Sequence, residues 1–238
     1  MRSFPLNKKI LVLCTSVLFL MCLGWLVYKK QILLPAKAHI PVNTKHFPTL
    51  GNPYAPINIT IFEEPSCSAC TEFSTEIFPL LKQHYIDKGE ASFTLIPVCF
   101  IRGSRPVVQA LFCIYNHNPR QPDVNAYIEY FHRLLIYPKE EGSHWATPEV
   151  IAKLAEGLKT NSGRSINTKG LQQCVASGRY NDQLKKNNLY CSRVLGGQLA
   201  TPTAIVGDYL VEDPTFDKIE KVIAQIHQLQ ASEGDGNE

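Results

Sequence analysis

Cys67 and Cys70 are the residues whose types and spacing offer the clearest chemistry in this sequence. They enclose the dipeptide Ser68-Ala69, and apolar residues at helical spacing follow, which places both thiols in the first turn of a helix. The unpaired N–H groups and the dipole at a helix N-terminus stabilise a thiolate. We therefore expect Cys67 to act as a nucleophile, and Cys70, which is more covered, to resolve the mixed disulfide that Cys67 forms.

The same pair of cysteines has three alternative uses: a structural zinc half-site, a static disulfide and a soft Cu(I) site. Structural zinc needs four ligands, and the sequence has no second C-x-x-C and no two histidines three to five residues apart. A strand, a loop and a C-x-x-C at a helix start form a redox site more often than a structural staple. We therefore predict redox chemistry and no metal, with the copper-binding module as an alternative of another class.

A second motif, Thr201-Pro202-Thr203, stands directly before a predicted strand. A proline that enters a strand is unusual unless its peptide bond is cis or the strand lies at a sheet edge. Since few X–Pro bonds are cis, this motif alone decides little.

The predicted elements that position these motifs form an α/β pattern in the order β-α-β, a helical block and β-β-α. Alternating or continuous apolar runs predict the strands, and N-cap or proline signals open helices at Ser104, Asp123 and Thr147. The predicted strands cover residues 57–62, 91–100, 203–206 and 209–211, and the helical block covers residues 104–196.

Together these motifs resemble the DsbA-like thiol:disulfide oxidoreductases, extracytoplasmic members of the thioredoxin superfamily. The resemblance rests on the CSAC motif after the first strand, on Pro79 twelve residues past Cys67, and on Gly197 followed by the Thr-Pro-Thr motif before a hairpin. It covers residues 50–230 and implies a thioredoxin fold with a helical insertion.

The resemblance also implies roles and partners. Pro202 would be a cis-proline facing Cys67, and Thr201 would offer its backbone N–H and C=O to a substrate strand. The protein would introduce disulfides into reduced secreted proteins as a monomer, with the Cys67–Cys70 disulfide as its redox group and no other cofactor, and a DsbB-like membrane protein would reoxidise it. The alternative is a reductase that a DsbD-like donor keeps reduced.

Two departures from the family pattern bear on the mechanism. The acid that thioredoxins bury six residues before the first cysteine falls on Ile61, so an internal proton acceptor is either absent or replaced by Glu63 or Glu64. The Ser68-Ala69 dipeptide lacks the histidine that is typical of strongly oxidising members, and this should raise the pKa of Cys67 and make the disulfide less oxidising. We expect a reduction potential between those of DsbA and thioredoxin.

We expect the N-terminal region to carry a targeting signal. Residues 10–28 contain no charge and as a helix would reach across a bilayer, while the one small-residue cleavage candidate, Ala36-Lys37-Ala38, lies past two lysines. We favour an uncleaved signal anchor over residues 1–30 and a periplasm-facing domain on the inner membrane, with a cleaved signal peptide as the alternative. Residues 31–50 would form an extended linker, residues 51–230 the domain, and residues 231–238 a flexible tail.

Composition excludes several other classes of protein. The 238 residues are 45% hydrophobic and show no repeat, which argues against a disordered or solenoid chain. The net charge of +3 comes from the N-terminus, since residues 1–30 hold five Lys or Arg and no acid, whereas the rest holds 19 basic and 21 acidic residues. Nucleic-acid binding is therefore disfavoured.

Four further cysteines lie in the predicted domain. Cys174 and Cys191 lie on neighbouring helical segments of the insertion, and we predict a disulfide between them. Cys99 and Cys113 are expected to be buried free thiols, with a Cys99–Cys113 bridge as the alternative.

Overall fold

The computed structural model describes residues 15–25 and 35–234, and the chain divides into two units, residues 1–35 and 36–238. In the first unit, residues 15–25 are helical. Within the described residues no helix has the length and apolar character needed to cross a membrane. Of the expected membrane-spanning segment over residues 10–28, residues 10–14 and 26–28 lie outside the described residues.

The second unit contains five strands and seven helices among its described residues. Apart from the first strand, which falls in the predicted linker, they follow the predicted order. The strands are β1 (Thr49–Leu50), β2 (Ile57–Glu63), β3 (Ala91–Pro97), β4 (Thr203–Val206) and β5 (Tyr209–Glu212). The helices are α1 (residues 68–86), α2 (Arg105–Tyr115), α3 (Val124–Ile136), α4 (Pro148–Ala155), α5 (Thr168–Ala176), α6 (Asn181–Val194) and α7 (Phe216–Gly234). The helical block α2–α6 occupies the predicted insertion between β3 and β4.

The sheet has the order β1-β3-β2-β4-β5, with β2 at its centre. β2 pairs parallel with β3 and antiparallel with β4, and β4 pairs with β5 through the Gly207-Asp208 turn. This arrangement is the predicted thioredoxin fold with a helical insertion. It places the C-terminal end of β2 beside the start of β4, where the two predicted motifs stand.

Helix α1 is continuous but irregular. Its α-helical segments Ser68–Glu72 and Phe78–Leu81 are each followed by a π-helical turn, Phe73–Ile77 and Lys82–Ile86. Pro79 is the second residue after the first π-turn. Because proline has no N–H to donate and its ring clashes with the preceding turn, a widened turn before it relieves the clash and lets the helix continue.

The two faces of β2 pack against different elements. Ile57, Ile59 and Ile61 face the main core, which α1 and the helices of the insertion complete, whereas Phe62 packs with Cys191 and Val194 of α6 on the opposite face. Glu63 comes next after Ile61 on the main-core side, since side chains two residues apart share a face of a strand. The sheet thus directs a carboxyl group into the main core.

Residues 36–50 belong to the predicted extended linker, but they are hydrogen-bonded to the domain. Ala38 donates its backbone N–H to Asp208, His39 donates to Val194, and β1 pairs antiparallel with β3. The compact unit therefore begins at Ala36 rather than at residue 51.

The predicted disulfide between Cys174 and Cys191 is wrong. Cys174 of α5 is bonded to Cys113 of α2, with Cα atoms 6.1 Å apart, so the expectation that Cys113 is a free thiol is wrong as well. Helix α5 packs against α2, whereas Cys191 faces the sheet from α6 and is fully buried as a free thiol. Cys99 is also free, and burial raises the pKa of the Cys99 thiol to about 11.

Candidate active site

Cys67 is the residue that begins helix α1. Its backbone is extended (φ −80°, ψ 125°), and its carbonyl accepts a hydrogen bond from Thr71 N–H, so its side chain lies at the helix N-terminus. Cys67 is half-buried, whereas Cys70, one turn further, is fully buried, and Ser68 and Ala69 between them are exposed. The structure therefore has the predicted difference in burial between the two cysteines.

The Thr201-Pro202 peptide bond is cis and lies opposite the cysteine pair. In its protonated form, the Sγ atom of Cys67 donates to the carbonyl oxygen of Thr201 at 3.4 Å. Pro202 is buried, and Thr203 after it begins β4 beside the end of β2. Two motifs 134 residues apart in sequence are thus brought into contact by the pairing of β2 with β4.

The surroundings of the two thiols shift their pKa values in opposite directions. A hydrogen bond from the Cys70 side chain is the largest cause that lowers the pKa of Cys67, and the backbone N–H groups of Cys70 and Ala69 lower this pKa further, to about 5. Burial raises the pKa of Cys70 well above its ordinary value, and the Cys67 side chain and the Glu63 charge raise it further. At neutral pH the reduced site therefore holds a Cys67 thiolate and a protonated Cys70.

Two consecutive buried carboxyl groups lie behind the cysteines. Burial raises the pKa of Glu63 well above its ordinary value, and the Cys67 charge adds to this rise. Burial also raises the pKa of Glu64 to about 7, although hydrogen bonds from Ser104 and from Ser66 N–H oppose the rise. One oxygen of each carboxyl group, Oε1, is buried without a hydrogen-bond partner within the part of the chain that the structure describes.

The loop before α4 contacts the active-site loop, which the sequence did not predict. Trp145 Nε1 donates a hydrogen bond to Ser66 Oγ at 2.9 Å, directly before Cys67. The Trp145 ring stacks on Tyr137 and lies beneath the Lys139 ammonium group. The available signal was that Trp145 is the single tryptophan outside the N-terminal segment.

The geometry suits thiol–disulfide exchange. It combines a half-buried thiolate at a helix N-terminus, a buried partner thiol and the Thr201 backbone beside a cis-proline. In the described residues no group of three or more His, Cys, Asp or Glu side chains is arranged to hold a metal ion.

Comparison with known proteins identifies the family to which the chain is similar. Residues 43–225 match a family model described as Thioredoxin. The crystal structure of Chlamydia trachomatis DsbA is 66% identical, with a TM-score of 0.76 over 83% of this chain and all of that chain. Oxidised BdbD from Bacillus subtilis has a TM-score of 0.69 at 24% identity and covers 82% of this chain and 99% of its own.

A curated protein from Bacillus subtilis (strain 168), disulfide bond formation protein D, is 25% identical over 178 residues. The match covers 74% of this chain and 75% of that protein. The family model spans more than half of the chain, and the similarity to Chlamydia trachomatis DsbA extends over that protein's whole length. The chain therefore belongs to the DsbA-like thiol:disulfide oxidoreductases of the thioredoxin superfamily.

Proposed function

We propose that this protein introduces disulfide bonds into reduced secreted proteins through the Cys67–Cys70 pair. The observation that carries the proposal is the half-buried Cys67 at the start of α1, with a pKa of about 5, facing the backbone of Thr201 before the cis-proline. The similar Bacillus subtilis protein is named for disulfide bond formation, and this supports the oxidising direction.

The reaction starts from the Cys67–Cys70 disulfide. A substrate thiolate attacks Cys67 Sγ, forms a substrate–Cys67 disulfide and releases Cys70 as a thiolate. A second substrate thiolate then attacks the substrate sulfur of this mixed disulfide, so that the substrate leaves oxidised and Cys67 leaves as a thiolate. The low pKa of Cys67 makes it a good leaving group in this second step.

Two backbone groups and one acid support these steps. Thr201 would align an extended substrate segment beside Cys67 by hydrogen bonds to its main chain. Glu63, whose charge acts on Cys70, would protonate the Cys70 thiolate when it is released, because the raised pKa of Glu63 keeps a proton available there. The Cys67–Cys70 pair is the only redox group that this reaction requires.

The experiment that tests the function is oxidative refolding of a reduced secreted protein such as ribonuclease. The oxidised protein should transfer one disulfide per molecule, and Cys67→Ser should abolish the transfer. Cys191→Ala, which removes a buried thiol away from the pair, is the matched control and should retain the activity. Transfer by the Cys67→Ser variant would overturn the assignment.

The direction of electron flow is tested in the cell. We propose a domain on the periplasmic side of the inner membrane, anchored by residues 10–28 and reoxidised by a DsbB-like membrane protein. The charge-free sequence of residues 10–28 supports the anchor. Alkylation of thiols in intact cells should trap Cys67 and Cys70 mostly oxidised, whereas a mostly reduced pair would favour a reductase supplied by a DsbD-like donor.

The expected strength of the oxidant follows from the active-site dipeptide. Ser68-Ala69 places no histidine beside the Cys67 thiolate, so we propose a potential between about −120 mV for DsbA and about −270 mV for thioredoxin. Equilibration with glutathione buffers measures it. A value as oxidising as that of DsbA would contradict the proposal.

A further inference from the structure

A small cavity lies beside Glu63, between α1, β3 and α3. Its polar lining consists of Glu63, Ser74 and His132, and the remainder is aromatic and aliphatic. Its volume is about 20 Å³. A buried water needs about 10–15 Å³ and two to four polar partners, so this cavity fits one water molecule.

The polar lining groups are placed to hold such a water. Glu63 Oε1 is buried and has no hydrogen-bond partner among the described residues, so it is free to bond to a water in the cavity. Ser74, itself buried, is hydrogen-bonded through Oγ to His132 Nδ1 at 3.0 Å. His132 lines the cavity and is only half-buried, so it stands between the cavity and solvent.

We propose that Ser74 and His132 conduct protons between Glu63 and solvent through one water held in this cavity. The inference rests on the proposed function, since a proton must reach Cys70 each time the Cys67–Cys70 disulfide is opened. Cys70 is fully buried and cannot take this proton from bulk solvent directly. Histidine is the side chain best suited to exchange protons with solvent near neutral pH.

One proton moves from solvent to Cys70 along this route. The substrate thiolate releases Cys70 as a thiolate, and the Glu63 carboxyl group protonates it. The Glu63 carboxylate then takes a proton from the cavity water, which is restored by the Ser74 hydroxyl group. Ser74 takes a proton from the His132 ring, which in turn takes one from solvent. No electron moves along this route.

A further titratable group close to this route, Tyr127, does not compete with it. Tyr127 of α3 interacts with the Glu63 charge, but its hydroxyl group donates to the Leu95 carbonyl and burial raises its pKa well above the ordinary value. Its proton therefore stays in place. Arg133, next to His132 in sequence, is paired with Glu129 on the same helix.

The test measures how fast the oxidised full-length protein is reduced by dithiothreitol, with the Trp145 fluorescence beside the site as the signal. His132→Asn keeps a group that can bond to Ser74 but cannot exchange the proton. We expect reduction at pH 7 to slow by at least about threefold, with a larger solvent deuterium isotope effect than in the unsubstituted protein. The equilibrium potential should stay unchanged, because a relay alters the rate alone.

Three further variants separate a relay from a structural role. Ser74→Ala should slow the reaction as His132→Asn does, and added imidazole should restore the rate of His132→Ala. His84→Asn is the matched control, since His84 is an exposed histidine of α1 that contacts Phe216 instead of the cavity. It should leave the rate and the isotope effect unchanged.

Two results would overturn the relay: an unchanged rate and isotope effect in both His132→Asn and Ser74→Ala, or a slower rate that imidazole does not restore. If the His132 variants do not fold, Ser74→Ala and the isotope effect of the unsubstituted protein decide the question. If the unsubstituted protein fails to exchange disulfides, the proposed function itself fails. If the unsubstituted protein is active and the His132 variants react at the same rate, only the proposed relay fails.

Discussion

At the residue scale, two cysteines one helical turn apart have pKa values that are shifted in opposite directions. Cys67 receives hydrogen bonds at the helix N-terminus, whereas Cys70 lies in the core one turn later. Their pKa values are thereby pushed apart, which assigns the nucleophile and the buried leaving group without a further catalytic residue. The sequence sufficed for this assignment because it follows from the position of each cysteine in the first helical turn.

The first prediction concerns the Cys67 thiolate. In the reduced protein, the thiolate absorbance at 240 nm should fall with a midpoint of about pH 5 as the pH is lowered. Cys67→Ser should remove this transition. Cys70→Ala should move it to higher pH, since the Cys70 hydrogen bond is the largest cause of the low value. A midpoint near the ordinary value for cysteine would contradict the assignment.

The second prediction concerns the buried Glu64. Its pKa in the folded protein, about 7, lies above the value of about 4.3 expected in the unfolded chain, so the folded state binds more protons and loses stability as the pH rises between these values. Glu64→Gln should therefore stabilise the oxidised protein at pH 8 relative to pH 5, by up to about 3 kcal/mol. Urea unfolding at both values measures this difference.

The control for this measurement is Glu141→Gln, since Glu141 is an exposed carboxylate. Its effect on the free energy of unfolding should be small and equal at the two pH values. The burial of Glu64 would be refuted if Glu64→Gln had the same effect at pH 5 and pH 8.

At the element scale, the alternation of side chains along strand β2 determines which acid can act on the buried cysteine. The position that thioredoxins use falls on Ile61, and the sequence left Glu63 and Glu64 as possible substitutes. Residues 61 and 63 share a face of the strand, and the core indeed receives Glu63 on the side of Ile61. The alternation was readable in the sequence, whereas the cavity beyond Glu63 depends on how α3 packs.

The third prediction concerns the link between the insertion and the active-site loop. A double-mutant cycle of Ser66→Ala and Trp145→Phe, measured by urea unfolding of the oxidised protein, should give a coupling energy of about 1 kcal/mol, the usual contribution of a hydrogen bond. Phenylalanine keeps an aromatic ring against Tyr137, so the cycle isolates the hydrogen bond. Effects that add to within about 0.3 kcal/mol would show that the contact does not stabilise the loop.

At the scale of the whole molecule, the order of elements was predictable and the pairing of cysteines was not. Strand and helix periodicity is local, so the order β-α-β, helical block, β-β-α follows from the sequence. Which helices of the insertion lie side by side depends on long-range packing. Helix α5 turns Cys174 toward α2, and α6 turns Cys191 toward the sheet, so proximity in sequence suggested the wrong partner.

The fourth prediction tests this pairing through stability. The Cys113–Cys174 bond spans 61 residues, and the loss of a cross-link of this length lowers the free energy of unfolding by about 2–4 kcal/mol because the unfolded chain gains freedom. Cys174→Ser in the oxidised protein should show this loss in urea unfolding. Exchange at Cys67 should continue at the unsubstituted rate, because neither bonded cysteine belongs to the active site.

A matched pair of variants identifies the partner of Cys174. Cys113→Ser breaks the observed bond and should destabilise the protein about as much as Cys174→Ser. Cys191→Ala removes only a small buried side chain and should cost about 1 kcal/mol. The reverse order, with Cys191→Ala as costly as Cys174→Ser and Cys113→Ser nearly neutral, would restore the Cys174–Cys191 disulfide and place α5 against α6 instead of α2.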